Sequence, residues 1–248
     1  MQLISTALLA IAIALILLVY AKVRKVHIVT YRLCDDVSHT RRETETLFAQ
    51  LQALIALERC LDMARPLPPM RGWAASPDFL LVLAHEIGRR KPRCVVECSS
   101  GVSTLVIGRA LQLNGMGQVF SLEHHAEFAE KTRHWIADYG LSSVATVIDA
   151  PLETRLTKTP WYCLDALPTD AGSIDILVVD GPPAAIAPFA RAPALPRLLD
   201  RMSDCYIILV DDADRPDEIE AIRQWRTLVP DLVETRLPSE KGLALLEN

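Results

Sequence analysis

The sequence lacks a C-x-x-C pair although it has six cysteines, Cys34, Cys60, Cys94, Cys98, Cys163 and Cys205. Neither a disulfide framework nor a zinc site follows from that spacing, and a reducing compartment fits. It lacks a basic excess: the formal net charge is -5, which argues against a general nucleic-acid binder. It has no G-x-G-x-x-G, and no lysine after its small-residue turn that would make a phosphate loop. Neither proline nor glycine occurs before Pro66, so nothing in the first quarter of the chain forces a helix to stop.

What stands there instead is an uncharged apolar run from Leu3 to Tyr20, the length that crosses a bilayer core as a helix. Its basic residues follow it, at Lys22, Arg24, Lys25 and Arg32. A cleavable signal would carry them in front and a small-residue cleavage site behind. The pattern predicts a retained anchor over residues 1–21, single-pass, with its positive flank and the main body on the cytoplasmic side. Residues 22–65 form a juxtamembrane segment. Continuous helix is permitted there, although the β-branched stretch 23–33 argues for a break. From Val37 the pattern is amphipathic, with Leu47, Leu51, Leu54, Ile55, Glu58 and Leu61 at helical spacing. This helix packs on its own domain, or pairs with a second copy to make a homodimer. Prolines 66, 68 and 69 with Gly72 then end it in a linker or lid.

Residues 66–248 alternate short apolar strands with helices. Helices are expected over 78–90, 103–114, 126–139, 185–201 and 216–228. Strands are expected over 93–98, 118–123, 144–149, 174–180 and 205–211. That order predicts a doubly wound α/β sheet, mostly parallel and covered on both faces. Residues 232–237 and 242–246 suit a closing antiparallel hairpin.

Ligands in such sheets bind beyond the carboxyl ends of the strands. At the first of these ends lies Glu97-Cys98-Ser99-Ser100-Gly101-Val102-Ser103, where small residues let a backbone approach a ligand and a helix N-terminus offers free N–H groups. At the second end lies Glu123, a carboxylate suited to the two hydroxyls of a ribose. His124 and His125 follow it. Asp180 ends the fourth strand, with Asp211 and Asp212 at the end of the fifth.

Glu97-x-Ser-x-Gly101-x-Ser103, Glu123, Asp180-Gly-Pro-Pro183 and Asp211-Asp212 together resemble the ordered motifs of class I S-adenosylmethionine-dependent methyltransferases. The nearest pattern is the bacterial group whose first motif reads E-x-G-S-G-x-S-T. The resemblance covers roughly residues 70–248 and implies a Rossmann-like, seven-stranded sheet. It implies S-adenosyl-L-methionine as cofactor, with Glu97, Ser99, Ser100, Gly101 and Ser103 around its methionine part. Glu123 would hold the ribose, Asp149 and Ala150 would lie along the adenine, and Asp180 would be a further cofactor contact; His124 and His125, by position, wall the adenine pocket or simply open the next helix. Ser99 stands where the family has glycine, and a serine fits there only if φ stays negative or the turn shifts.

Asp180, Asp211 and Asp212 should converge, because adjacent parallel strands bring their ends together. Three like charges call for a cation or a proton, and an all-oxygen set suits Mg2+ or Ca2+; alternatively Asp212 and Asp214 cap the helix at Pro216 and Asp180 contacts the substrate without a metal. The resemblance to metal-dependent catechol-type enzymes adds catalytic roles for Asp180 and Asp211. Trp161 and Tyr162 cover the site or anchor their loop. Arg215 and Lys241 recognise an anionic acceptor or are simply solvated. The function expected is methyl transfer to an oxygen of a small or lipid-linked acceptor at the inner membrane face. The rivals are a nicotinamide-binding oxidoreductase, which the missing glycines and closing hairpin disfavour, and an inactive tethered cofactor-binding module.

Overall fold

The structure, a computed structural model, describes residues 2–70, 72 and 74–248, and the side chains of residues 15–31, 33, 34, 37, 40, 41, 44–70, 72 and 74–248. It divides into two units, Met1–Ala49 and Gln50–Asn248.

The first helix, α1, runs without interruption over Gln2–Cys60. The β-branched stretch 23–33 does not break it. Such residues cost only a few tenths of a kcal/mol each in a helix, and neither proline nor glycine is present to stop it. Leu15 to Tyr20 are all exposed. Among the described residues no helix is long and apolar enough to cross a membrane. Of the expected anchor, the side chains of residues 1–14 lie outside the described ones, as does Arg32 of the basic flank.

The second unit begins at Gln50 rather than at residue 66. Leu57 and Leu61 are completely buried in its core. Gln50 Nε2 donates to Asp78 Oδ2 at 2.8 Å. Arg109 Nε donates to the Leu61 carbonyl at 2.9 Å, satisfying one of the free carbonyls at the helix end. The last turns of α1 therefore belong to the α/β domain.

The domain's elements follow in alternating order: α2 (Pro77–Arg90), β1 (Cys94–Cys98), α3 (Val102–Asn114), β2 (Gln118–Glu123), α4 (Ala126–Asp138) and β3 (Ala145–Asp149). Then come β4 (Leu152–Glu153), β5 (Trp161–Tyr162), β6 (Ile174–Val179), α5 (Ala194–Leu198), β7 (Met202–Asp211), α6 (Pro216–Leu228), β8 (Val233–Leu237) and β9 (Leu243–Glu247). The main sheet has the order β3-β2-β1-β6-β7-β9-β8. β1, β2, β3, β6 and β7 are parallel, and β9 runs antiparallel to both β7 and β8. This is the doubly wound sheet with a terminal hairpin that the alternation predicts. The side chains of β1 split between two cores. Val95 joins Leu83, Leu105 and Ile136 on one face, while Val96 joins Trp161, Leu195 and Trp225 on the other. Burial on both faces is why these strands read as unbroken apolar runs.

One element differs from expectation. The helix predicted over 185–201 is cut to Ala194–Leu198, followed by a turn of 3-10 helix over Leu199–Arg201. Pro188 and Pro193 interrupt the earlier part. That segment is instead pinned as a loop, by Trp225 Nε1 donating to the Ala192 carbonyl at 2.8 Å and Asp217 Oδ2 accepting from Phe189 N at 2.9 Å.

Candidate active site

The order β2-β1-β6-β7 places the switch of winding direction between β1 and β6, where ligands bind in such sheets. Register does the rest. Cys98 lies opposite both Leu122 and Val179, and Val179 lies opposite Val210. One residue further on, Ser99, Glu123, Asp180 and Asp211 emerge side by side.

A cavity of about 620 Å3 opens there, within the usual size of cofactor sites, about 300–1,000 Å3. Ser99, Ser100, Gly101, Ser103, Glu123, His124 and Asp180 all line it, and so do Lys131, Thr132, Tyr162, Arg191, Arg215 and Lys241. Pro69, Gly72, Ala74 and Ala75 contribute the linker side. Arg71 and Trp73 of that linker lie outside the described residues.

Ser99 keeps the conformation that a glycine would have. Its φ is +136°, so the expectation of a negative φ or a shifted turn is wrong. A serine held there costs on the order of 1–3 kcal/mol, and such strain persists only when neighbours fix it. The Ser99 amide donates to the Leu122 carbonyl at 3.1 Å, which ties the turn to β2.

Glu97 does not line the cavity. It lies beneath it, 0 % exposed, and its Oε2 accepts from Thr104 Oγ1 at 2.7 Å and Ser121 Oγ at 2.6 Å. Thr104 Oγ1 in turn accepts from the Gly101 amide at 3.1 Å. Glu97 thus braces the turn from below. Burial pushes its carboxyl up to about 7, against the hydroxyls of Ser103, Ser121 and Thr104, which favour the charge.

Glu123 is buried at the cavity wall. Oε2 accepts from Ser100 Oγ at 3.0 Å, and Oε1 accepts from the His125 amide at 2.9 Å. A ribose diol would share these oxygens with the two protein donors. His124 stands with its Nδ1 3.3 Å from Glu123 Oε1 and its ring edge-on to Tyr162. Asp149 and Ala150 do not face the cavity. Asp149 ends the edge strand, and its side chain turns out to Arg133 Nη2 at 2.7 Å. Ala150 is buried and contributes its amide to the Glu123 carbonyl at 2.7 Å.

Tyr162 is 1 % exposed and wedged against the β6 end. A Cβ added at Gly181 would lie 2.5 Å from its hydroxyl and 2.9 Å from the Cys98 carbonyl. That close approach is why only glycine fits after Asp180. Burial, then the nearby Cys98, Glu123 and Asp180, raise the phenol well above its ordinary range, so it stays a donor.

The carboxylates do converge: oxygen atoms of Asp180, Asp211 and Asp212 lie within 4.8 Å of one another. Two oxygens across a Mg2+ ion stand about 4.2 Å apart, so distance alone would admit an ion with small adjustments. Arg191 Nη2 lies 3.0 Å from Asp212 Oδ2 and 3.4 Å from Asp180 Oδ1, so a cation already stands against two of the three carboxylates. Asp212 Oδ1 and both Asp211 carboxyl oxygens stay buried without a protein partner. Asp211, expected in catalysis, is 1 % exposed and does not face the cavity. Both of its carboxyl oxygens are buried without a partner, and burial, then Asp212, raises its pKa. Asp180 does face the cavity. Burial, then Asp211, pushes its pKa well up, and Arg191 opposes them. Sequence reasoning missed Arg191, because residues 185–201 read as a helix on which it would be one more surface charge.

Residues 96–213 match the family model described as a methyltransferase domain. That span is just under half of the chain; over it the sequence is similar to methyltransferase domains, and the sheet has the Rossmann-like methyltransferase fold. Solved structures with this fold include SAH-bound PaMTH1 of Podospora anserina, 20 % identical with a TM-score of 0.54 over 77 % of this chain and 86 % of that one. Cofactor-bound Rv0187 from MTB is 22 % identical, with a TM-score of 0.53 over 82 % and 88 %. The O-methyltransferase TomG of Streptomyces achromogenes, in complex with SAM, is 16 % identical with a TM-score of 0.50 over 80 % and 88 %. At these identities the likeness is one of fold. No curated protein sequence matches the chain. The matched span contains Ser99, Glu123, Asp180 and Asp212, which line the cavity at the switch point between β1 and β6.

Proposed function

We propose that this protein transfers a methyl group from S-adenosylmethionine to an oxygen of a small or lipid-linked acceptor. The observation that carries this is one cavity with Glu123 on the β2 side and Asp180 on the β6 side, the two separated by the Ser99–Ser103 turn. Bound there, S-adenosylmethionine supplies a methyl group made electrophilic by its sulfonium.

The chain's own residues supply the rest. Glu123 would accept from the ribose hydroxyls, and the turn after β1 would hold the methionine part. Tyr162, at the cavity wall, keeps its phenol protonated. Asp180 takes the proton of the acceptor hydroxyl, leaving the oxygen's electron pair for the new C–O bond. Its raised pKa makes it the stronger base. Orientation within a closed cavity supplies much of the remaining acceleration. Arg191 offsets the charge of Asp180 and Asp212 beside the cavity.

The membrane reading rests on the uncharged run Leu3–Tyr20 and the basic residues Lys22, Arg24 and Lys25 behind it. It is supported by the exposed apolar side chains of Leu15 to Tyr20. On this reading the chain is single-pass, with the methyltransferase domain cytoplasmic and its acceptor at the inner face.

Calorimetry on the full chain in detergent micelles tests the cofactor. Saturable heat with S-adenosylmethionine and none with NAD supports the proposal. Binding of NAD alone would replace it with the oxidoreductase reading.

A further inference from the structure

The acidic cluster at the ends of β6 and β7 already holds a cation, and the chain provides it. Arg191 lies in the loop before α5 and is 6 % exposed. Its Nη1 donates to the Asp211 carbonyl at 2.9 Å. Its Nη2 donates to the Asp180 carbonyl at 3.1 Å and to Asp212 Oδ2 at 3.0 Å. The same nitrogen stands 3.4 Å from Asp180 Oδ1, and Nε stands 3.6 Å from Glu218 Oε1. One guanidinium therefore grips both strand ends by their backbone and faces three carboxylates. A planar fork with several fixed donors is suited to this, where a lysine's single point charge is not.

A divalent ion shared by Asp180 and Asp212 would stand about 2.0–2.6 Å from one oxygen of each, within a few ångströms of the guanidinium that holds Asp180 Oδ1 and Asp212 Oδ2. Arg191 is already against both, and two cations that close repel. Arg215 Nη1 adds a further contact to Asp212 Oδ2 at 2.9 Å from the cavity rim. The loop that delivers Arg191 is itself fixed, through Phe189 to Asp217 and through Ala192 to Trp225.

We propose that Arg191 takes the place of the metal ion in this cluster and is the positioning residue that fixes the Asp180 carboxylate at the cavity wall. Its effect on turnover rests on the methyl-transfer reading, whereas its replacement of the metal does not.

The first test is thermal unfolding of the full chain in detergent, with EDTA, Mg2+ or Ca2+. The wild type should unfold at the same temperature in all three. Arg191→Ala should unfold at a lower temperature, and Mg2+, Ca2+ or methylguanidinium should raise it again by filling the vacated charge. A wild type destabilised by EDTA and restored by Mg2+ would overturn the proposal. So would an Arg191→Ala variant that none of the three cations stabilises. The second test is kinetic and uses Arg191→Lys, which keeps the charge should Arg191→Ala fail to fold. Its kcat should fall by about 100-fold, the cost of misplacing a reacting group by about 1 Å, with the S-adenosylmethionine KM unchanged. A rise in that KM with kcat unchanged would assign Arg191 to cofactor binding instead. If the wild type shows no methyl transfer at all, the methyl-transfer reading fails, and the unfolding series still decides whether Arg191 replaces a metal.

Discussion

Replacing Glu97 by glutamine should change how stability depends on pH, by an amount the structure fixes. In the folded protein the Glu97 carboxyl is raised from 4.5 to about 7 by burial. Between those values the native state binds a proton that the unfolded chain has released. Stability is therefore complete below about pH 4.5, falls as pH rises, and levels off above the folded value. A shift of about 2.5 units at 1.36 kcal/mol each makes the loss about 3 kcal/mol. Glutamine cannot ionise, so Glu97→Gln removes this loss. Its carbonyl can still accept from Thr104 and Ser121, but its NH2 replaces Oε1, which has no partner. That costs about 1–3 kcal/mol at every pH. The variant should thus be the less stable protein at pH 5 and gain on the wild type by about 3 kcal/mol by pH 8. Urea unfolding followed by fluorescence of the buried Trp161 and Trp225, at half-unit steps of pH, measures it. The raised carboxyls of Asp211 and Glu218 titrate in both proteins and cancel in the difference, while Asp180, raised in part by the Glu97 charge, shifts in the same sense. Two parallel stability curves would refute the buried-brace account of Glu97.

Glu123→Ala should weaken S-adenosylmethionine binding by about 1–3 kcal/mol, since ribose hydroxyls lose a buried acceptor; unchanged affinity by calorimetry removes Glu123 from the site. Leu57→Ala should destabilise the α/β domain by about 2–5 kcal/mol, because this α1 residue is 0 % exposed; an unaltered unfolding midpoint would return the domain boundary to residue 66. Tyr162→Phe should leave stability nearly unchanged, because no protein group accepts from its hydroxyl among the described residues, yet lower turnover or ligand affinity. Equal kinetics would confine Tyr162 to packing. A reporter fused after Asn248 should be active only in the cytoplasm, and activity in an exported compartment would reverse the proposed topology.

The sequence by itself determined the element types and the residues at the strand ends. Apolar runs such as Cys94–Cys98 and Ile174–Val179 mark strands buried on both faces, and the periodicity of α4 and α6 marks helices. Both signals are local. Once the strands are parallel and in register, Ser99, Glu123, Asp180 and Asp211 must emerge together, so most of the cavity was legible from their positions alone. Side-chain direction and long-range pairing were not. Asp149 ends a strand as Glu123 does, but β3 is the sheet edge, and its carboxylate turns outward to Arg133. Asp211 is one residue from Asp212, yet only Asp212 faces the cavity. The φ of Ser99 is set by neighbours that hold the turn, against the preference of its own residue type. The clearest case is Arg191. Helical spacing would leave it on a surface, whereas two prolines and contacts to Asp217 and Trp225 hold its segment as a loop. Only that tertiary placement carries its guanidinium into a cluster of carboxylates 11 to 27 residues away along the chain, because charge compensation acts through space and leaves no periodic trace in the sequence.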